Sequence, residues 1–382
     1  MKRQNGEGSI TILKSGKVRV RVEVDPVDGK RQWLSATADT KKEALRKLRE
    51  LMRKKEDRKY IRKSARTYSD VMTEFLDYKK KNVKPTTYQT LANFYKTTEK
   101  TLGLLPVQHI KETHINKLID IWKQEGNIGS TMRTKCVYLS TFFLWAKKQK
   151  LIMENPVEEI HRPANTISRK KFLEVLNEDE HKQIRDYLKK FFDVFVEKPV
   201  WFFINRMYPL YLLAYETGMR KSEILGLKWK SIDFTNKIVF VENNLVIVGG
   251  KLMDVSPKTK AGYRCIRLSD GLVEVLRTLK DLYGKYNYKS EYVFGTKKGG
   301  GCNPVYFTNL FQESIKSAGI TRRFTFHDIR HTNASLMIHK GIDDAVITER
   351  LGHSSIVITL NTYAHIYNNV KQRQSVLIDA TI

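Results

Sequence analysis

Side chains able to bind and attack a phosphate concentrate in four separated segments of the C-terminal half. In Thr217-Gly218-Met219-Arg220-Lys221-Ser222-Glu223-Ile224, the glycine permits a tight turn and Arg220 falls at the start of a helix. A guanidinium there adds its bidentate fork to the positive end of the helix dipole. Ser256-Pro257-Lys258-Thr259-Lys260-Ala261-Gly262-Tyr263-Arg264 is a turn-rich stretch between two β patterns. Lys258, at a hairpin tip, can reach into a substrate groove as a general acid for a leaving oxygen. In Phe326-His327-Asp328-Ile329-Arg330-His331-Thr332, His327 and Arg330 are three apart. A helix would present this imidazole and guanidinium on one face. Last comes Arg350-Leu351-Gly352-His353-Ser354-Ser355, followed by Tyr363. Gly352 ends one helix and Ser354 or Ser355 caps the next, which brings His353 into the turn.

Tyrosine is a poor nucleophile near neutral pH because its pKa is about 10. Cationic neighbours can stabilise both the phenolate and a phosphorane-like transition state. Taken singly, each segment also reads as ordinary surface: an arginine or hairpin lysine in water, a polar helix face. Composition does not single out Tyr363 among 18 tyrosines; the ordered set of Arg220, Lys258, His327, Arg330, His353 and Tyr363 does.

These residues need elements to position them. Asn177 can cap a helix Glu178–Phe192 with Glu180 at the third position. An apolar helix follows around Tyr208–Tyr215, then strands at Ile238–Val248 and Arg264–Leu268, and several helices after Asn303. Upstream, Thr67 to about Pro163 reads as all helical, with candidates Ser69–Lys80, Pro85–Leu102, Thr113–Gln124 and Ser130–Lys148. In the last of these Val137, Phe142, Phe143 and Trp145 supply a core, and Arg133, Lys135, Lys147 and Lys148 a basic rim. Residues Ser9 to Ala36 alternate with period two, most cleanly in Lys17–Val24. They predict strands Ser9–Leu13, Lys17–Val24 and Arg31–Ser35, with a helix from Lys41 to about Lys55 capped by Asp39 or Thr40. One helix covers one sheet face; the other carries Arg19 and Arg21, a solvated surface or a nucleic-acid contact. The expected domains are 1–63, 64–165 and 166–382.

Composition sets the class. With 382 residues, 41% hydrophobic and 10% aromatic, the chain has material for packed cores and is no disordered tail. No apolar run reaches the ~18 residues of a membrane span, and Met1–Gly6 leads into a polar strand pattern. We therefore expect a soluble, non-secreted protein without a membrane partner. Cys136, Cys265 and Cys302 lie far apart, which fits a reducing compartment and no structural zinc. A net charge of +28, interleaved with aromatics along the chain, favours a nucleic-acid partner over an anionic membrane.

With its six motif positions filled by Arg220, Lys258, His327, Arg330, His353 and Tyr363, the sequence resembles the tyrosine recombinase, or phage integrase, family over roughly residues 175–370. The resemblance implies a multidomain fold. It has a small α+β arm-binding domain (three antiparallel strands and a helix), an all-α core-binding domain, and a mainly helical catalytic domain with a small sheet. It implies that Arg220 and Arg330 hold the non-bridging oxygens of one DNA phosphate while His353 donates a further hydrogen bond. His327 would assist proton removal from Tyr363, Lys258 would protonate the departing 5′ hydroxyl, and attack would leave a 3′-phosphotyrosyl link. No cofactor or metal is expected, and no ATP-binding loop or carboxylate cluster is present in the sequence. The implied partners are core and arm sites on double-stranded DNA, a homo-tetramer at the synapse and an accessory bending or directionality protein. Arg19, Arg21, Arg133 and Lys135 are candidate DNA contacts. The C-terminal segment Ala364–Ile382, with Val376, Leu377 and Ile378, either packs on its own domain or docks on a neighbouring subunit.

Three other readings compete: a non-catalytic DNA-binding regulator, a chromosome-resolving recombinase, and a type IB topoisomerase. The regulator leaves the six-residue set unexplained; the arm-like N-terminus argues against the other two.

Overall fold

Alternation in β2 (Val18–Val27) puts Val18, Val20, Val22 and Val24 on one buried face. It pairs antiparallel with β1 (Ser9–Ile12) on one side and β3 (Lys30–Ala38) on the other. The amphipathic α1 (Lys41–Glu56) lays Ala44 and Leu48 on those valines. Its first turn is capped by Thr40, whose hydroxyl accepts from the Glu43 N–H. Arg21 lies exposed and Arg19 half-buried on the opposite sheet face. The computed structural model describes residues 8–27, 30–56, 65–160, 175–197, 206–257 and 259–379. Contacts divide the chain into two compact units, Met1–Arg169 and Lys170–Ile382.

Among its described residues the first unit also contains the α-helices α2 (Tyr68–Asn82), α3 (Pro85–Leu102), α4 (Glu112–Gln124) and α5 (Gly129–Lys148). A capping box between Thr67 and Asp70 starts α2. Tyr68, Phe75, Tyr95, Phe142 and Phe143 interlock in the core with mostly edge-on rings. The buried hydroxyls are satisfied, Tyr95 donating to the Tyr138 carbonyl at 2.7 Å. Val137, expected in this core, is instead 45% exposed. Its neighbour Cys136 takes the inward position, three residues before Leu139, and both are buried.

The second unit is built on the apolar α7 (Met207–Thr217), buried on nearly all sides. Against it pack α6 (Glu178–Glu197), the short α8 (Lys221–Leu225), α9 (Asp270–Lys285) and α11 (Phe326–His339); α10 (Pro304–Ser317) packs on α6 and α8, and α12 (Asp344–Leu351) and α13 (Ile356–Asp379) on α11. Strands β4 (Ile232–Asp233), β5 (Ile238–Val241) and β8 (Arg264–Arg267) form one antiparallel sheet, and β6 (Asn244–Val248) and β7 (Lys251–Val255) a separate hairpin. The single strand expected over Ile238–Val248 is therefore two strands in different sheets. Polar side chains turn the chain where it breaks: Ser231 donates to Glu242, Asn243 to the Gly226 carbonyl, and Ser222 to Asn244. The hairpin turns at Gly249-Gly250, not at Lys258, which lies beyond its second strand and outside the described residues. The tail residues Val376, Leu377 and Ile378 fall on the last turns of α13, and their side chains are outside the described set.

Candidate active site

Two turns with left-handed glycines carry two of the candidate catalytic residues. Gly218 (φ +64°) ends α7 and throws Arg220 to the N-terminus of α8; Gly352 (φ +67°) ends α12 and leads into His353. A Cβ at Gly218 would come within 2.7 Å of Asn333 Oδ1, and one at Gly352 within 2.8 Å of Arg264 Nη1, so each turn is packed as tightly as glycine allows.

Arg330, on α11, joins the two turns. Its Nη1 donates to the Gly218 carbonyl at 2.8 Å and its Nη2 to the Leu351 carbonyl at 2.6 Å. Arg220 crosses to the second turn, Nη2 donating to the Gly352 carbonyl at 3.1 Å. Arg330 is 3% exposed. Burial, and then the charge of Arg220, pull its guanidinium down to about 9, still cationic at neutral pH. Two of its five N–H donors are used by the carbonyls, which leaves donors for an anion.

Beneath the arginines sits Glu223, 2% exposed. It accepts from the Arg220 backbone N–H and Nη1, both at 2.8 Å, and from Arg264 Nη2 at 2.9 Å and Nη1 at 3.2 Å. Burial raises its pKa, but the bonds to Arg264 and the charge of both arginines outweigh this and keep it ionised. Arg264 Nε also donates to the Arg350 carbonyl at 2.6 Å, so one buried arginine ties β8 to the end of α12.

His353 is held through Nδ1, 2.7 Å from Thr359 Oγ1, which is itself 2.9 Å from Thr348 Oγ1. Desolvation, then Arg330 and Arg220, lower its pKa to about 4. Tyr363 lies on α13 where the helix backbone is interrupted (φ −109°, ψ 15°), with the side chain 1% exposed. Burial pushes its phenol up to about 12, against the pull of Arg330 and Arg220. Ionising it at pH 7 would cost about 7 kcal/mol without further help.

The ring bonded to the phenol is His331: Nδ1 lies 2.9 Å from Tyr363 Oη. His327, one turn earlier, is exposed and packs edge-on against His331 with centroids 4.8 Å apart. Arg220, His327, Arg330, His353 and Tyr363 thus converge through these bonds, ring contacts and fields; Lys258 is outside the described residues. Sequence reasoning gave no role to His331, Glu223 or Arg264. His331 had a visible signal, since a spacing of four puts it on the helix face of His327. Arg133 and Lys135 lie in the other unit, both half-buried. Lys135 stands over the Trp122 ring at 4.9 Å. Among the described residues no group of three or more His, Cys, Asp or Glu could hold a metal ion, and no helix is long and apolar enough to cross a membrane.

The model of the phage integrase family matches residues 174–369, the whole stretch that carries this site. The chain belongs to the phage integrase family. A second model, the N-terminal SAM-like domain of phage integrases, matches residues 67–123. Among curated relatives, the ICEBs1 integrase of Bacillus subtilis (strain 168) is 24% identical, with 97% of this chain and 99% of the relative covered. A XerC-like tyrosine recombinase of Caldanaerobacter subterraneus subsp. tengcongensis is 27% identical over 78% of this chain and 79% of its own length. The fold matches that of the Tn1549 transposon integrase in complex with transposon right end DNA: TM-score 0.66, 20% identity, 81% of this chain and 98% of that one. A lambda integrase dimer bound to a core site covers 96% of both chains with a TM-score of 0.57 and 18% identity. This family member is a site-specific tyrosine recombinase, an integrase of the kind carried by phages and conjugative transposons.

Proposed function

We propose that Tyr363 is the nucleophile of this recombinase and attacks one DNA phosphodiester held by Arg220, Arg330 and His353. The observation that carries this is the pair of hydrogen bonds that Arg330 donates to the Gly218 and Leu351 carbonyls, which draws the Arg220 turn and the His353 turn onto one helix beside the phenol. Two guanidiniums meeting at the site offset the charge that develops on a pentavalent phosphorus. Thr359 occupies His353 Nδ1, which leaves Nε2 as the atom to face the phosphate. His327 assists removal of the phenol's proton, and Lys258 protonates the departing 5′ oxygen. The 3′-phosphotyrosyl bond conserves the energy of the broken ester, so rejoining needs neither ATP nor a cofactor.

Residues 1–63 serve as an arm-binding domain, 64–165 as a core-binding domain and 166–382 as the catalytic domain with its tail. Arg19 and Arg21, on the uncovered sheet face, meet arm DNA; Arg133 and Lys135 meet core DNA. Recombination joins two duplexes, so four protomers act together, with an accessory bending or directionality protein, in the cytoplasm of a bacterial host. Full-length similarity to the ICEBs1 integrase supports integration and excision of a mobile element over chromosome resolution. The N-terminal sheet and α1 support the same choice.

A duplex carrying the element's end sequence with a nick beside the cleavage position tests this. The expected result is a covalent protein–DNA adduct in EDTA and without nucleotide, absent from Tyr363→Phe. No adduct from the wild-type protein, or an undiminished one from Tyr363→Phe, overturns the reading.

A further inference from the structure

We infer that His331 takes the proton from Tyr363 as the phenol oxygen attacks, so that the reaction has a proton acceptor outside the six motif positions. The inference rests on the nucleophilic role proposed for Tyr363.

The geometry makes the choice by contact. His331 Nδ1 lies 2.9 Å from Tyr363 Oη, with ring centroids 5.6 Å apart and planes at 68°. The phenol is 1% exposed, so bulk water has little access to it. Its charged neighbours, Arg330 and Arg220, are cations with no acceptor atom. His353 has its Nδ1 engaged by Thr359, and His327 meets His331 edge-on. Helix geometry explains why the adjacent residues differ: about 100° of rotation per residue turns Arg330 to the two glycine turns and His331 to α13.

The ring is in the neutral form that can accept a proton. Desolvation, then the charges of His327 and Arg330, lower the His331 pKa to about 4, with Asp328 opposing, so the ring is neutral at physiological pH. In the Nε2–H tautomer, Nδ1 accepts the phenol's hydrogen. During attack the Tyr363 Oη–P bond forms and the P–O5′ bond breaks. The phenol proton moves to His331 Nδ1, and O5′ takes a proton from the general acid of the proposed reaction. On rejoining, O5′ attacks, the acid recovers its proton, and the imidazolium returns its own to the departing phenolate. A neighbour that cycles between neutral and cationic forms serves both directions of a reversible exchange.

His331→Asn separates this from a structural role, because the asparagine amide falls near the position of Nδ1 but cannot take a proton. Single-turnover cleavage of the nicked duplex should fall by about a hundredfold or more, while DNA affinity stays at the wild-type value. Difluorotyrosine installed at position 363 ionises more readily and needs less help from a base, so it should shrink that rate ratio to within about tenfold. His331→Ala, which removes the ring altogether, should show the same rescue and serves as a second variant. Wild-type cleavage rates in both variants overturn the inference. So does slowed cleavage that difluorotyrosine leaves unchanged, since that marks misplacement of the phenol. Failure of the wild-type protein to form any adduct would instead refute the nucleophilic role of Tyr363.

Discussion

Arg264 and Glu223 form an ion pair sealed from water, 2.9 Å apart with side chains 3% and 2% exposed. Glu223 in turn receives Arg220, so the pair fixes the arginine that is to meet the phosphate. Removing Arg264 leaves the buried Glu223 carboxylate with Arg220 as its remaining cationic partner, and breaking such a buried pair costs up to about 3–5 kcal/mol. Arg264→Ala should therefore lower stability by that amount in denaturant titrations. A loss within ~0.5 kcal/mol, the range of ordinary surface substitutions, would mean that the pair does not hold the turn.

Thr359→Val tests the orientation of His353. Valine keeps the volume and removes the oxygen 2.7 Å from Nδ1. Losing one such bond is worth about 1 kcal/mol, so cleavage should slow roughly fivefold to tenfold with the thermal midpoint little changed. Unaltered cleavage would show that the imidazole is placed by packing alone.

Acid should weaken the fold through histidines that are kept neutral. His181, His331 and His353 are each lowered to about 4 from an ordinary 6.5, chiefly by desolvation. Between those values the unfolded chain binds more protons than the folded one, so stability is full above pH 6.5 and declines as pH falls toward 4. Melts between pH 6.5 and 5, above the titration of most carboxylates, should show a falling midpoint, with a shallower slope in His353→Gln. A midpoint that holds or rises over this interval would contradict the environments described.

Much of the active site was legible because its parts are local. Gly218 before Arg220, and Gly352 before His353, are turn signals that need only their neighbours in sequence, and the structure finds both glycines left-handed. The Asn177–Glu180 cap was equally local and forms in both directions, at 3.1 and 2.8 Å. What stayed hidden depends on packing between distant segments. That His331 reaches Tyr363 follows from how α11 meets α13, over a separation of 32 residues. Glu223 and Arg264 resembled surface charges because their burial is created by β8 closing on α8. The break after Val241 was invisible because Ile238–Val248 is apolar on both sides of three polar residues, Glu242, Asn243 and Asn244. Val137 was misassigned on a helix apolar around much of its circumference.

Salt tests the reading of the charge. With a net +28, contact with DNA should be dominated by phosphates. Affinity for duplex DNA should then drop about a thousandfold or more between ~50 and ~200 mM salt. A flat response in fluorescence anisotropy would mean that the excess charge does not serve DNA binding.

The most direct measurement is the identity of the bond between protein and DNA. Protease and nuclease digestion of the trapped adduct, followed by mass spectrometry, should yield one modified peptide carrying a nucleotide 3′-phosphate on the Tyr363 oxygen, with a free 5′ hydroxyl on the released strand. A modified residue other than Tyr363, or a 5′-phosphate linkage, would contradict the placement of the nucleophile between the two arginine-bound turns and α11.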